Sequence, residues 1–398
     1  MLRKTRNSKN IFVLLLVGIA SAVAAVMYSK AATRPALPAV TLLRAPHGGI
    51  QPQTALDSRD VLHMIYFEGN AAAGNIEYVR RAPGAANFSA PIRVNSQPDS
   101  AVAIGTVRGP QMAIGRDGRV YVIWFGSSEA RPRGPHRKTP VLFSSLNDSG
   151  TAFEPQRNLE QYTQNVDGGL SIAADQQGDV YAVWHARGKT PGEANRRVYL
   201  ARSTNDGRTF AREVPVSPGW LGACGCCGMR AFVGRNGALY VLYRAAEEGI
   251  HRDMTLLVSR DRGRSFLHAR LSSWKLNACP MSTDYLSEGG GRVLAAWEKA
   301  GEVYFNEISP KKLAVVQAVA APGQADDRKH PAVAENSHGQ VLLAWTEGTA
   351  WNKGGSIAWQ LFDSTGRAEG QEGHAVGAPT WDLPSVFVNA GGDFVIAY

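Results

Sequence analysis

The four cysteines of this 398-residue chain are confined to two short segments. One is Gly222-Ala223-Cys224-Gly225-Cys226-Cys227-Gly228-Met229-Arg230, the other Asn277-Ala278-Cys279-Pro280-Met281-Ser282. Thiolates, with the thioethers of Met229 and Met281 beside them, suit a soft ion such as Cu(I). Four thiolates also suit zinc, although C-x-C-C is not the spacing of a zinc ribbon. In an oxidising compartment the same residues predict disulfides, with Cys279 bonded to one of the other three. A bond between the chain neighbours Cys226 and Cys227 is disfavoured by geometry. A redox pair is a third reading, and Met229 and Met281 also read simply as fillers of core space. A site that uses all four sulfurs needs a fold that brings two distant segments together.

The charged candidates pose the same demand. A guanidinium fork matches a carboxylate in a bidentate way, so Arg108, Arg230, Arg244 and Arg328 would bind an acidic ligand if they converged. Taken singly, each reads as a salt-bridged loop arginine. Asp167, His185, Asp253, Glu298, Asp327, His330 and Asp382 are the remaining polar candidates.

An internal repeat supplies the fold that could gather them. Tyr66, Trp124, Trp184, Tyr243, Trp297, Trp345 and Tyr398 each close an apolar run such as Val120-Tyr121-Val122-Ile123-Trp124. They recur about every 50 to 60 residues, the period of a four-stranded propeller blade. A glycine often opens the run, and another short apolar segment precedes that glycine, as at Met112–Ile114 and Leu170–Ala174. The unit near Asp284–Leu286 is less distinct. One small sheet cannot bury both faces, so such units pack on their neighbours around an axis. The pattern predicts an all-β propeller of seven four-stranded blades, with Val40–Leu43 joining the C-terminal strands to close the ring. Six blades remain the alternative if the first or last unit is an extension. The loops that enter each inner strand then surround one axial mouth. Both cysteine segments are such loops, in consecutive blades, and His330, just before Pro331, is better placed than His185 to face the axis.

Three turns carry a further signature. They are Ser203-Thr204-Asn205-Asp206-Gly207-Arg208-Thr209-Phe210, Ser259-Arg260-Asp261-Arg262-Gly263-Arg264-Ser265-Phe266, and a looser copy from Ser145 to Phe153. They resemble the Asp-box, S-x-D-x-G-x-[ST]-[FW], in which the polar side chain bonds its own turn and the aromatic plugs the blade. With the repeat, the body from about Gly48 to Tyr398 resembles the sialidase-like (BNR/Asp-box) β-propeller superfamily, and within it exported bacterial members. Asp261, Asn205 and Asp206 are then structural, since the turns lie on the face opposite the mouth.

The resemblance implies an exo-sialidase-type glycosidase acting on acidic glycans. Such a site needs an arginine triad, a Tyr nucleophile activated by Glu, and an Asp acid/base. Val107-Arg108-Gly109-Pro110 looks like the Arg-Ile-Pro element that supplies one arginine, and Arg230 and Arg328 stand at inner strands where the others would lie. Tyr243 or Tyr285, with Glu298, would be nucleophile and activator; no Asp is assigned. Arg244, Asp253, His330 and Asp382 would line the mouth and bind ligand. The Cys/Met loops have no counterpart in a sialidase site, and sialidases have six blades. The alternative function is therefore a non-catalytic propeller that binds a small-molecule ligand or copper through Cys224, Cys226, Cys227, Cys279, Met229 and Met281. A scaffold for a protein partner is the plainest reading.

The N-terminus bears on the compartment. Arg3, Lys4, Arg6 and Lys9 precede the uncharged run Ile11–Tyr28, which reads either as a signal peptide or as an apolar membrane-anchor helix. Both predict export, to the periplasm or beyond the cell, with any membrane contact made through this segment. Residues 1–34 form that unit and 35–398 a single propeller domain. The net charge is +9, but six basic residues and no acid lie in the first 34, leaving the body near +3. That mild charge, with no basic stripe, argues against nucleic acid as a partner.

Overall fold

The computed structural model describes residues 37–309, 313–315, 317–324 and 327–398. The apolar run Ile11–Tyr28 lies outside the described residues. Among these, no helix is long and apolar enough to cross a membrane.

The second strand of each unit shows why the chain folds as it does. In Val180–Ala186, Val180, Ala182 and Trp184 pack against Ile123 and Phe143 of the preceding unit. Tyr181 and Val183 point the other way, against Val241 and Tyr243 of the next. Alternate residues of a strand face opposite sides of its sheet, so a strand sandwiched between two sheets must be apolar throughout. Burying each large side chain contributes roughly 1.5–3 kcal/mol.

The described residues form seven such sheets, and their inner strands are Ile50–Leu56, Gln111–Ile114, Leu170–Ala174, Met229–Val233, Asp284–Gly289, Lys329–Glu335 and Ser385–Val388. Each inner strand touches the next, and the seventh touches the first, so the ring is closed. The indistinct unit near Asp284 is the fifth blade, with Asp284 paired to Trp297. The seventh blade has three strands: Val40–Leu43 lies parallel to Phe394–Ala397, which pairs with Ser385–Val388. The bonds that fasten this closure include Phe394 N–H to the Ala39 carbonyl at 2.9 Å, Tyr398 N–H to the Leu43 carbonyl at 3.0 Å and Ala45 N–H to the Tyr398 carbonyl at 2.9 Å. The seven marker aromatics are all buried.

The polar turns work locally and between blades. Asp261 Oδ1 accepts the Ser265 N–H at 2.9 Å, Asn205 Oδ1 the Thr209 N–H at 3.0 Å, and Asn147 Oδ1 the Thr151 N–H at 3.0 Å. Gly207 and Gly263 have φ of 72° and 78°, a region that favours glycine. Phe153, Phe210 and Phe266 pack against three successive inter-blade cores. Arg116 of the second blade pairs with Asp206 of the third, and Arg262 of the fourth with Asp179 of the third. These contacts stitch neighbouring blades on the face away from the cysteine loops.

Glu160, after the outer strand of the second blade, is buried, with Oε2 receiving the Val141 N–H at 3.2 Å and Oε1 the Thr163 hydroxyl at 3.2 Å. Burial pushes its carboxyl up to about 8, with the nearby Glu213 adding to the rise. The folded chain therefore keeps a proton that the unfolded chain releases near 4.5, and this group's contribution to stability falls as pH rises from there to about 8. Glu160→Gln should accordingly lose less stability than the wild type between pH 5 and pH 8 in urea unfolding. Equal losses in the two proteins would contradict the assignment.

Candidate functional site: a buried sulfur cluster beside the axis

The loop Gly222–Gly228 enters the fourth blade, and its position is set by its neighbours on both sides. Cys224 N–H donates to the Arg244 carbonyl at 2.9 Å, Ala246 N–H to the Gly222 carbonyl at 3.1 Å, and Gly228 N–H to the Ser282 carbonyl at 2.8 Å. Glu193 of the third blade accepts the Gly225 N–H at 2.8 Å. The loop before the third blade lies directly on it: a Cβ on Gly168, where φ is +61°, would stand 2.6 Å from the Gly225 carbonyl oxygen. His185 supports the same loop. Its Nε2 accepts the Gly169 N–H at 3.0 Å and lies 3.3 Å from the Cys227 carbonyl, and Arg196 stands 3.3 Å from its Nδ1. Burial, then Arg196, push His185 down to about 3, so the ring is a neutral brace.

The expected meeting of the two cysteine segments is observed. Cys226 and Cys279 form a disulfide, and Cys224 and Cys227 are free and buried. Sγ of Cys224 lies 3.1 Å from that of Cys227 and 3.4 Å from that of Cys226, and Cys226 and Cys227 are 4.0 Å apart. Met281 packs against this cluster. Met229 belongs instead to the core between the third and fourth blades and to the wall of the axial cavity.

Buried cations surround the sulfurs. Arg244 is 2% exposed, yet its bonds go to neutral oxygens: Ser282 Oγ at 2.6 Å, the Arg252 carbonyl at 2.7 Å and the Glu298 carbonyl at 2.6 Å. Its guanidinium also lies 4.8 Å from the centre of the Trp274 ring. Ser282 in turn donates to Cys227 Sγ at 3.4 Å. Arg252, also buried, pairs with Glu193 at 2.6 Å but leaves Nε and Nη1 without partners. Cys224 lies within the fields of both Arg252 and Arg196. The two free cysteines are in direct sulfur–sulfur contact. Burial disfavours a thiolate at Cys227, but the bond to Cys224, the Arg244 charge and the Ser282 hydroxyl outweigh it and bring Cys227 down to about 6. That same contact with Cys227, then burial, push the Cys224 thiol up.

The axial cavity next to this cluster is small, about 30 Å³. Arg230 occupies it: Nη1 donates to Gln53 Oε1 at 2.5 Å and Gln111 Oε1 at 2.6 Å, and its charge lies 4.5 Å from the centre of the Tyr285 ring. Asp284, Tyr285 and His330 line the same space. Asp284 is buried with Oδ1 unpartnered, and burial holds its carboxyl well above the usual range. Glu298 is also buried, accepts the His330 N–H at 3.1 Å, and is pushed by burial up to about 7. Thr283 Oγ1 lies 3.2 Å from His330 Nδ1.

Other sequence candidates are placed apart. Arg108 closes on Asp167 at 2.7 Å, and its Nη1 donates to the Ile104 carbonyl at 3.2 Å. Arg328 is held by Glu302 at 3.1 Å and Glu347 at 3.2 Å, so the three proposed triad arginines have separate partners. Tyr243 does not meet Glu298: its hydroxyl is buried without a partner in the core between the third and fourth blades. Tyr285 does reach the cavity, where its hydroxyl lies 3.4 Å from Ser385 Oγ. Asp253 pairs with Arg270 at 2.8 Å at the outer side of the fourth blade. Asp382 accepts the Gln51 N–H at 2.7 Å, and burial raises it to about 7. Sequence reasoning missed Arg196, Arg252 and Ser282. The first two stand in loops between second and third strands, which the propeller sends to the mouth, and that placement was the signal available.

A direct check follows from Cys227. Thiolate absorbance of the native protein should appear with a midpoint near pH 6. Arg244→Met should shift that midpoint upward by about one unit or more, since one unit is only about 1.4 kcal/mol. An unchanged midpoint would show that Arg244 does not act on the sulfur.

No protein-family model and no curated protein matches this sequence. Solved structures do. The Penicillium chrysogenum α-L-arabinanase complexed with arabinobiose aligns at 12% identity over 83% of this chain and 98% of that one, with a TM-score of 0.52. The GH93 α-L-arabinofuranosidase of Fusarium graminearum, also with arabinobiose, aligns at 10% identity over 86% and 98%, with a TM-score of 0.50. The Hadza microbial sialidase Hz136 aligns at 14% identity over 78% and 68%, with a TM-score of 0.49. At such identities the likeness is one of fold alone, that of a β-propeller.

Proposed function

We propose that this protein is a soft-metal-binding propeller that holds Cu(I) through Cys224, Cys226 and Cys227 in its reduced form. The carrying observation is that their three sulfur atoms lie within 4.8 Å of one another, all buried. Three thiolates about 2.3 Å from a central ion would stand about 4 Å apart. The observed 3.1, 3.4 and 4.0 Å require only that the shorter pair contacts open slightly. A Cu(I) tris-thiolate carries net negative charge, and the buried guanidiniums of Arg244 and Arg252 would balance it. Met281 supplies a thioether beside the cluster. The soft donors favour Cu(I) over a hard cation. The basic, apolar N-terminal segment supports an extracytoplasmic setting for this work.

Glycoside hydrolysis is the second reading. It is favoured by the buried carboxyls of Asp284 and Glu298, both held toward the protonated form needed of a general acid. Against it stand the Arg230 side chain filling the axis and the scattered arginines. A sialoside or an arabinoside would be the substrate class to assay.

Anaerobic titration with Cu(I), in competition with a chromophoric Cu(I) chelator, tests the first reading. The reduced protein should take up about one Cu(I), Cys224→Ser and Cys227→Ser should abolish competitive binding, and Arg244→Met should weaken it about 10- to 100-fold. Met229→Leu should bind like the wild type. Equal binding by the wild type and a Cys224→Ser/Cys227→Ser double variant would refute the site. Turnover of a fluorogenic sialoside or arabinoside that is lost in Glu298→Gln would establish the hydrolase reading instead.

A further inference from the structure

The disulfide places its two sulfurs in different environments. Cys226 is 9% exposed and touches the buried pair, whereas Cys279 lies on an exposed loop. We infer that the copper site is loaded by thiol–disulfide exchange with an external dithiol, which attacks Cys279 and frees Cys226 as the third ligand. This inference rests on the metal-binding reading above.

Access decides which sulfur is attacked. A thiolate of the dithiol attacks the Sγ of Cys279, the exposed residue of the pair, forms a mixed disulfide there, and expels Cys226 as a thiolate. The second thiol of the dithiol then attacks its own sulfur in the mixed disulfide and releases Cys279. The dithiol is oxidised to a disulfide, the protein gains two electrons, and protons from the dithiol end on Cys279 and in solvent or on Cys226. The leaving thiolate of Cys226 emerges 3.4 Å from Cys224 and 4.0 Å from Cys227. Three buried sulfurs then surround one point, where the disulfide-bonded form offers two. Arg244 and Arg252 lie close enough to Cys227 and Cys224 to favour the added negative charge. The external partner is thus a protein or small molecule bearing paired thiols, and the disulfide is a lock on metal uptake.

Two readouts on the full chain test this. Brief treatment of the disulfide form with glutathione, a monothiol, followed by alkylation and peptide mapping, should find glutathione on Cys279 and alkyl groups on Cys226. Glutathione on Cys226 would overturn the proposed direction of attack. Cu(I) affinity is then measured by chelator competition on the disulfide form and on protein reduced with dithiothreitol and desalted anaerobically. The reduced form should bind at least about 10-fold more tightly. Cys279→Ser, which cannot form the lock, should bind tightly without prior reduction, and the wild-type comparison stands even if that variant misfolds. Equal affinity in both forms would overturn the lock and leave the metal site intact. Binding by neither form would overturn the metal site itself, and the lock with it.

Discussion

A buried guanidinium without a carboxylate partner is the constraint on which this structure turns. Arg244 donates to one hydroxyl and two carbonyls and rests against Trp274. Removing such a charge from water costs several kcal/mol, and neutral oxygens only partly offset it. The nearby Cys227, linked through Ser282, can supply an opposing charge, as can the buried carboxyls of Asp284 and Glu298. The fourth-blade strand, the fifth-blade entry loop and the cysteine loop are thereby held to one geometry.

The propeller makes that geometry affordable. Its blades pack on one another through largely apolar second strands, and the ring closes through a parallel strand from the far end of the domain. Loops that enter consecutive blades are then neighbours whatever their sequence separation. Cys226 and Cys279 meet for this reason alone. On the opposite face, the Arg116–Asp206 and Arg262–Asp179 pairs fix one blade against the next. The chain thus spends its regular residues on a frame and its irregular ones on the mouth.

The frame was legible because each blade repeats one physical solution: an inner strand, a glycine turn, an apolar second strand and a buried aromatic. The closing role of Val40–Leu43 was legible as well, as an apolar segment ahead of the first repeat, and it pairs with Phe394–Ala397. The mouth was legible in part. Cysteine is rare enough that its two segments identified themselves, and blade order then paired Cys279 with the first group. Arginine carries no such mark. Arg108 stood in a motif and Arg230 and Arg328 at inner strands, yet Asp167, two glutamines, and Glu302 with Glu347 claim them separately. Tyr243 illustrates a different limit: a marker aromatic of the frame cannot also face the axis, because its position in the strand points it between blades. The roles of Arg252 and Ser282 depend on side-chain partners from other blades, which no local pattern records.

X-ray absorption at the copper edge of the reduced, Cu(I)-loaded protein tests the central claim most directly. The account predicts a monovalent copper with a sulfur-only shell of about three atoms at about 2.3 Å. A shell dominated by nitrogen or oxygen, or copper bound at another place in the chain, would contradict it.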